Sequence, residues 1–76
     1  MKEEKYLTSS EIYAVSKSYS EKYEVCRIFC DYIMSMLFKD RYSVLHTLER
    51  KCITKDNLLE FLSNTWLPMY KRMVNS

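Results

Sequence analysis

The chain is 76 residues long and carries twelve basic against ten acidic side chains, so its net charge is only +2. It is 47% hydrophobic and 29% charged, with no glycine, one proline, three cysteines and one histidine. This length allows a single domain, and the apolar fraction is too high for a disordered chain. Because P-loops, dinucleotide-binding loops and nucleophile elbows all need glycine, those function classes are excluded. Hairpin turns also favour glycine, which argues against a sheet protein.

The first predicted element is a helix that begins with a capping box. Thr8 and Glu11 have the spacing at which each side chain caps the backbone N–H of the other residue. Leu7 and Ile12 flank this box at the two positions of a hydrophobic staple. The sequence therefore predicts a helix over residues 9–18.

The second helix, at about 21–39, is predicted to be the central one. Its polar groups collect in one narrow strip, and nearly all its other side chains are apolar. A helix that is apolar most of the way round is typically buried. Serines interrupt the pattern before it, so we expect a break between the first two helices near residues 18–20. A single long bent helix is the alternative, since neither glycine nor proline lies there.

The fourth helix repeats the start signal of the first. Thr54 is its expected cap, and Ile53 and Leu58 take the staple positions. Its apolar stripe, which we expect to face the core, comprises Leu58, Leu62, Trp66, Met69 and Met73. Because this stripe keeps its phase through Pro68, we predict a proline kink within one helix. A new short helix starting at Thr65 is the alternative.

These patterns predict an all-α fold, a compact four-helix bundle with a largely buried second helix and a Pro-kinked or broken C-terminal helix. The third helix is expected to start at the cap Asp40. The whole chain, 1–76, then forms a single helical domain. Its irregular lead and its helices are placed at 1–7 and at about 9–18, 21–39, 41–51 and 55–74. The longest apolar stretch is shorter than the roughly 20 residues of a membrane span, so we expect a cytoplasmic protein without membrane contact.

One set of side chains has the composition of a zinc site, with three thiolates and one imidazole: Cys26, Cys30, Cys52 and His46. His46 and Cys52 lie about 120° apart on the third helix, so we interpret the cysteines as core thiols instead. Catalysis would need a nucleophile beside His46, and no motif places one there. We therefore expect no cofactor, no metal and no enzymatic activity.

The aromatic and methionine content favours binding of another protein. Seven Tyr, three Phe, one Trp and five Met are present, and such residues are enriched in interfaces. The fourth helix has more apolar groups than one stripe can bury, which gives these candidate partner-binding residues: Phe61, Trp66, Leu67, Tyr70 and Arg72. We predict a small regulatory or inhibitory protein that binds either itself, as a homodimer, or a larger host protein. Small glycine-free helical chains of this kind are frequent among accessory proteins of phages and mobile elements.

Nucleic-acid binding is the alternative function. The third and fourth helices would then form a helix-turn-helix. The side chains available for phosphate or base contacts would be Lys55, Asn57, Lys71 and Arg72. Asp56 and Glu60 at the start of the recognition helix would oppose this role, because they would face phosphates.

Overall fold

Four helices follow one another along the described part of the chain, which contains one isolated β-bridge and no strand. The computed structural model describes residues 5–75. Helices α1, α2 and α3 span Ser9–Ser18, Glu24–Met34 and Phe38–Glu49. Helix α4 is continuous and has three segments, an α-helical Leu58–Phe61, a π-helical Leu62–Trp66 and an α-helical Leu67–Val74. The predicted all-α bundle is confirmed.

Within residues 5–75, no helix combines the length and the apolar character that are needed to cross a bilayer.

Helices α1 and α2 are separate, and serine hydroxyls lie at the break. Ser18 Oγ donates to the carbonyl of Val15 at 2.7 Å, and Ser20 Oγ donates to that of Lys17 at the same distance. In these bonds the serine hydroxyls compete with the backbone N–H groups that would continue the helix, which is why serine has a low helix propensity. The alternative of one long helix is therefore wrong.

Three predicted helix starts differ in the structure, and that of α4 is at Leu58 rather than at residue 55. The second helix begins at Glu24 and ends at Met34, inside the predicted range of 21–39. Asp40 does not cap α3, because that helix already begins at Phe38 and its N-cap residue makes no side-chain capping bond. Asp40 instead lies in the first turn, where its negative charge is favourable beside the free N–H groups.

The predicted capping box of α1 is formed, but the prediction of Thr54 as the N-cap of α4 is wrong, because the N-cap is Asn57 and makes no side-chain capping bond. At α1, Thr8 Oγ1 accepts from the N–H of Glu11 at 3.3 Å, and Glu11 Oε1 accepts from the N–H of Thr8 at 2.9 Å. Before α4, Thr54 Oγ1 accepts from the N–H of Asn57 at 3.3 Å, and Asn57 Oδ1 accepts from the N–H of Thr54 at 2.9 Å. The second box precedes the first α-helical residue, Leu58, so it caps a turn that leads into the helix.

The starts of α1 and α4 are joined to each other by what we call the helix-start contact. The N–H of Leu7 donates to the carbonyl of Ile53 at 2.7 Å, and Tyr6 and Thr54 form the antiparallel β-bridge. Leu7 and Ile53 are both buried in the core. The two residues that precede Thr8 and Thr54 are therefore part of the same core cluster. Residues 1–4 of the predicted irregular lead lie outside the described residues.

A carboxylate from α3 caps the start of α1. Glu49 Oε1 accepts hydrogen bonds from the hydroxyl of Ser9 at 2.5 Å and from its N–H at 2.7 Å. These side-chain and backbone bonds hold the pKa of Glu49 below its usual value. The last turn of α3 is thereby fixed to the first turn of α1.

The core is one cluster to which every helix contributes a face. Helices α2 and α4 supply three of its buried residues each, Cys26, Phe29 and Ile33 from α2 and Leu58, Leu62 and Trp66 from α4. The side chains without solvent exposure include Ile12, Cys26, Phe29, Ile33, Leu58 and Leu62. Burial of each large apolar side chain stabilises the fold by about 1.5–3 kcal/mol, so this cluster is the main source of stability.

The connection between α3 and α4 contains a residue in the left-handed backbone region. Cys52 has a φ angle of 57°, which glycine adopts readily and other residues adopt at a cost of roughly 1–2 kcal/mol. Its N–H donates to the carbonyl of Glu49 at 3.2 Å and so closes the end of α3. Glycine is the residue that best suits this backbone conformation, but the chain contains none, and the position is occupied by a cysteine.

We expect Cys52→Gly to raise the free energy of unfolding by about 0.5–1 kcal/mol, because relief of the left-handed strain exceeds the added entropy of unfolded glycine. Urea denaturation measures the change. The matched control, Cys52→Ala, keeps the Cβ atom while removing the thiol, and should stay within about 0.5 kcal/mol of the native protein. Equal stability of the glycine variant and the native protein would contradict the assigned strain.

Candidate functional site

The π-helical segment of α4 changes which side chains face the core. The N–H of Leu67 donates to the carbonyl of Leu62, five residues earlier. Pro68, the next residue, has no N–H with which to continue an α-helical ladder. A π turn holds one more residue than an α turn, so the side chains after it are rotated by about 100°. The helix nevertheless continues through Pro68, so the predicted alternative of a separate helix starting at Thr65 is wrong.

After Trp66, the side chains of α4 that face the core are therefore no longer those of the predicted apolar stripe. The exposed fraction is 6% for Trp66 but 58% for Met69 and 54% for Met73. Tyr70 is half-buried and packs against the core in their place. The prediction that Met69 and Met73 face the core is wrong, because it assumes an unbroken α-helical period.

Four rings form an aromatic cluster where α4 packs on α2: Phe29, Tyr32, Trp66 and Tyr70. Trp66 stacks on Tyr70 with centroids 5.0 Å apart and meets Phe29 edge-on at 5.1 Å. Tyr32 approaches Tyr70 at 5.2 Å, and its burial, with a smaller effect of Tyr70, raises its pKa. Aromatic contacts of this kind stabilise by about 0.5–1.5 kcal/mol each beyond their burial, so the cluster strengthens the packing of α4 on α2.

An open apolar groove lies over this cluster between α3 and α4, with a cavity of about 240 Å³. We call it the α3–α4 groove. Its more buried lining residues are Tyr32, Val44, Leu48 and Trp66, and its exposed rim consists of Ser43, Thr47 and Met69. Small-molecule pockets usually measure about 300–1,000 Å³. The groove is therefore smaller than a usual small-molecule pocket.

The five residues that the sequence predicts as a partner-binding surface differ in burial and do not form one continuous surface in the structure. Trp66 lines the groove and stacks on Tyr70, which packs against the core and does not line the groove. Phe61 and Leu67 are half-buried and pack against the core, and Phe61 also lines a more polar cavity of about 190 Å³. Arg72 is exposed near the end of α4.

The predicted partner-binding residues do not include a second exposed apolar region, at the corner between α2 and α3. The exposed fraction is 77% for Leu37, 79% for Phe38 and 60% for Tyr42. The predicted range of 21–39 assigns Leu37 and Phe38 to a buried helix. Ser35 was the available signal, because its hydroxyl donates to the carbonyl of Tyr32 at 2.7 Å where α2 ends. The same competition by serine predicts the break after α1.

The candidate zinc set is not assembled. Cys26 and Cys30 are buried, whereas Cys52 is exposed in the α3–α4 connection and His46 stacks on Tyr42 at 5.8 Å. Among residues 5–75, no group of three or more His, Cys, Asp or Glu residues is placed to hold a metal ion. Burial raises the pKa of the Cys26 and Cys30 thiols, which disfavours the reactive thiolate. The core interpretation is thus confirmed for these two cysteines and wrong for Cys52.

The residues proposed for nucleic-acid contact lie in two places, with Lys55 and Asn57 before the start of α4 and Lys71 and Arg72 in its last turn. The connection between Glu49 and Leu58 has eight residues, whereas a helix-turn-helix uses three or four. Lys55 lines a cavity of about 310 Å³ together with Lys22, Tyr19, Tyr23, Asp56 and Leu59. From Asn57 to Lys71 the helix rise alone is about 20 Å. The basic groups therefore form two separate sites rather than one recognition surface.

No protein-family model matches the chain, and no curated protein or solved structure matches it either. Function is therefore inferred from the geometry of the chain itself.

We expect Met69→Ala to change the free energy of unfolding by less than about 0.5 kcal/mol, because this side chain lies outside the core. Leu62→Ala, seven residues earlier, should cost about 2–5 kcal/mol, since Leu62 is completely buried. Urea unfolding followed by the fluorescence of Trp66 measures both variants. Similar losses at the two positions would indicate an unbroken α-helical stripe and contradict the π turn.

Proposed function

We propose that this protein acts without catalysis, as a small regulatory or inhibitory protein that binds another protein through the α3–α4 groove. The observation that carries the proposal is an open apolar groove with an aromatic base and an exposed methionine at its rim. A partner side chain in the groove would remove apolar surface from water, which favours association. Met69 is unbranched and adapts its shape to what it contacts.

Apolar surface on both sides of α3 supports this proposal. One side of α3 lines the groove with Val44 and Leu48. On the other side, Phe38 and Tyr42 border a shallow cavity beside the start of α1. Exposed apolar patches of this kind mark interaction sites more often than isolated exposed residues do. Helix α3 is thus the element around which a protein partner is expected to dock.

The cytoplasmic location and the role as an accessory protein of a phage or mobile element belong to the same proposal. Three cysteines are free: Cys26, Cys30 and Cys52. Free thiols are typical of proteins in reducing compartments, which supports the cytoplasmic location. The phage or mobile-element origin is supported by composition alone.

A photo-crosslinking amino acid placed at Met69 tests the proposal in the cells that express the protein. We expect a crosslinked adduct that protease degrades and nuclease does not, because the rim of the groove would lie against a protein. The matched control places the same amino acid at Lys17, which is exposed on α1 and away from the groove. Identical adducts at both positions, or no adduct at Met69, would contradict the proposal. An adduct that nuclease removes would favour the nucleic-acid alternative instead.

A further inference from the structure

A cavity of about 310 Å³ lies where the turn between α1 and α2 meets the turn before α4. We call it the two-turn cavity. Its described lining residues are Tyr19, Lys22, Tyr23, Lys55, Asp56 and Leu59. None of them lines the α3–α4 groove, so this cavity is independent of the proposed protein binding. We propose that it binds a small molecule that joins a phosphate group to a planar ring, as a nucleoside monophosphate does.

The charge of the two-turn cavity favours an anion. Two lysines and one carboxylate line it, two positive charges against one negative. The carboxylate, Asp56, lies two residues before the first residue of α4, where the positive end of the helix offsets its charge. Lys22 and Lys55 come from different turns and line the same space. A phosphate monoester carries about −1.5 to −2 charges at neutral pH and accepts charge-assisted hydrogen bonds from lysine.

Two tyrosine rings supply the flat apolar part of the wall. Tyr19 and Tyr23 meet edge to face, with ring centroids 5.9 Å apart and planes at 87°. The ammonium of Lys22 lies 5.5 Å from the centroid of the Tyr23 ring. Aromatic surface and positive charge are therefore adjacent in the cavity, and a ligand whose ring is next to its phosphate matches both. Nucleotide bases of every kind stack on aromatic side chains.

The size and charge of the two-turn cavity set it apart from the cavities described above. Small-molecule pockets usually measure about 300–1,000 Å³, and this one lies at the lower limit, which suits one ring system with one phosphate. The α3–α4 groove has no charged lining residue, and the cavity beside Phe61 is lined by one lysine and one glutamate. At the shallow cavity beside the start of α1, the guanidinium of Arg41 already donates to the carbonyl of Met36.

Adenosine monophosphate, adenosine and inorganic phosphate are the three probes that test the inference on the full chain. Backbone amide shifts in heteronuclear NMR report where each probe binds. The amides of Lys22, Tyr23 and Lys55 should shift together as adenosine monophosphate is added. We expect it to bind at least about tenfold more tightly than either other probe, because each of these lacks one half of the recognised chemistry.

The double variant Lys22→Gln/Lys55→Gln should weaken the binding of adenosine monophosphate at least about tenfold and leave that of adenosine unchanged. Both side chains are exposed, and circular dichroism checks that the variant stays folded. The matched control, Lys51→Gln, changes an exposed lysine of another cavity and should bind as the native protein does. Tyr23→Leu keeps an apolar side chain against the core and should reduce the preference for adenosine monophosphate over inorganic phosphate.

A single-stranded oligonucleotide of about eight residues with a terminal phosphate distinguishes the two sources of this chemistry. Tighter binding than that of adenosine monophosphate, through the same two lysines, would identify the ligand as the end of a nucleic acid. Equal or weaker binding would identify it as a free nucleotide.

Three results would overturn the inference. These are adenosine monophosphate binding no more tightly than inorganic phosphate, equal binding by the double variant and the Lys51→Gln control, and amide shifts only at residues outside the two-turn cavity.

Discussion

The helix-start contact organises this structure. The bond from the N–H of Leu7 to the carbonyl of Ile53 joins two segments that belong to no helix and are far apart in sequence. It brings the capping boxes of α1 and α4 together and buries the apolar residue that precedes each one. Because a domain of this size buries only about 60% of its unfolded-chain surface, each such long-range anchor is a large share of its stability. The Glu49 carboxylate then fixes α3 to the same end of the bundle.

At the C-terminal part of α4 the packing of the helices leaves an open groove instead of a hydrogen-bonded contact. There α2 packs on the π-helical segment, while α1 packs on α3. Helix α3 and the segment Leu67–Val74 consequently lie on either side of the aromatic cluster, with the groove between them. The end of the bundle that holds the capping boxes is closed by hydrogen bonds, whereas the groove is open. The proposed function follows from this asymmetry.

Features that depend on neighbouring residues could be read from the sequence. Thr8 and Glu11 form their box because the partners are three residues apart, whereas Thr54, predicted as the cap of α4, bonds with Asn57 in the turn before that helix. The pairing of Leu7 with Ile53 could not be predicted, since no local rule relates two segments so distant in the chain. The same limit applies to Cys52, whose left-handed backbone is imposed by the path from α3 to α4.

The candidate site was predicted only in part, for a physical reason. Trp66 and Tyr70 were identified because aromatic residues on α4 exceed one stripe, and they do lie together. Met69 was assigned to the core because the period was taken as α-helical through Pro68. A π turn depends on how Leu62 and Trp66 pack against α2 as well as on the proline, so the pattern of apolar residues alone does not reveal it. Leu37 and Phe38 were not among the predicted partner-binding residues, because α2 ends earlier than its apolar run.

Native-state hydrogen exchange of the Leu7 amide tests the central role of the helix-start contact most directly. If the contact holds the two helix starts together, this amide should exchange only through global unfolding. Its opening free energy and its response to added urea should then match those of core amides in α2, such as Ile33. Exchange of the Leu7 amide as fast as that of an exposed amide near the end of α4, while Ile33 stays protected, would contradict the account.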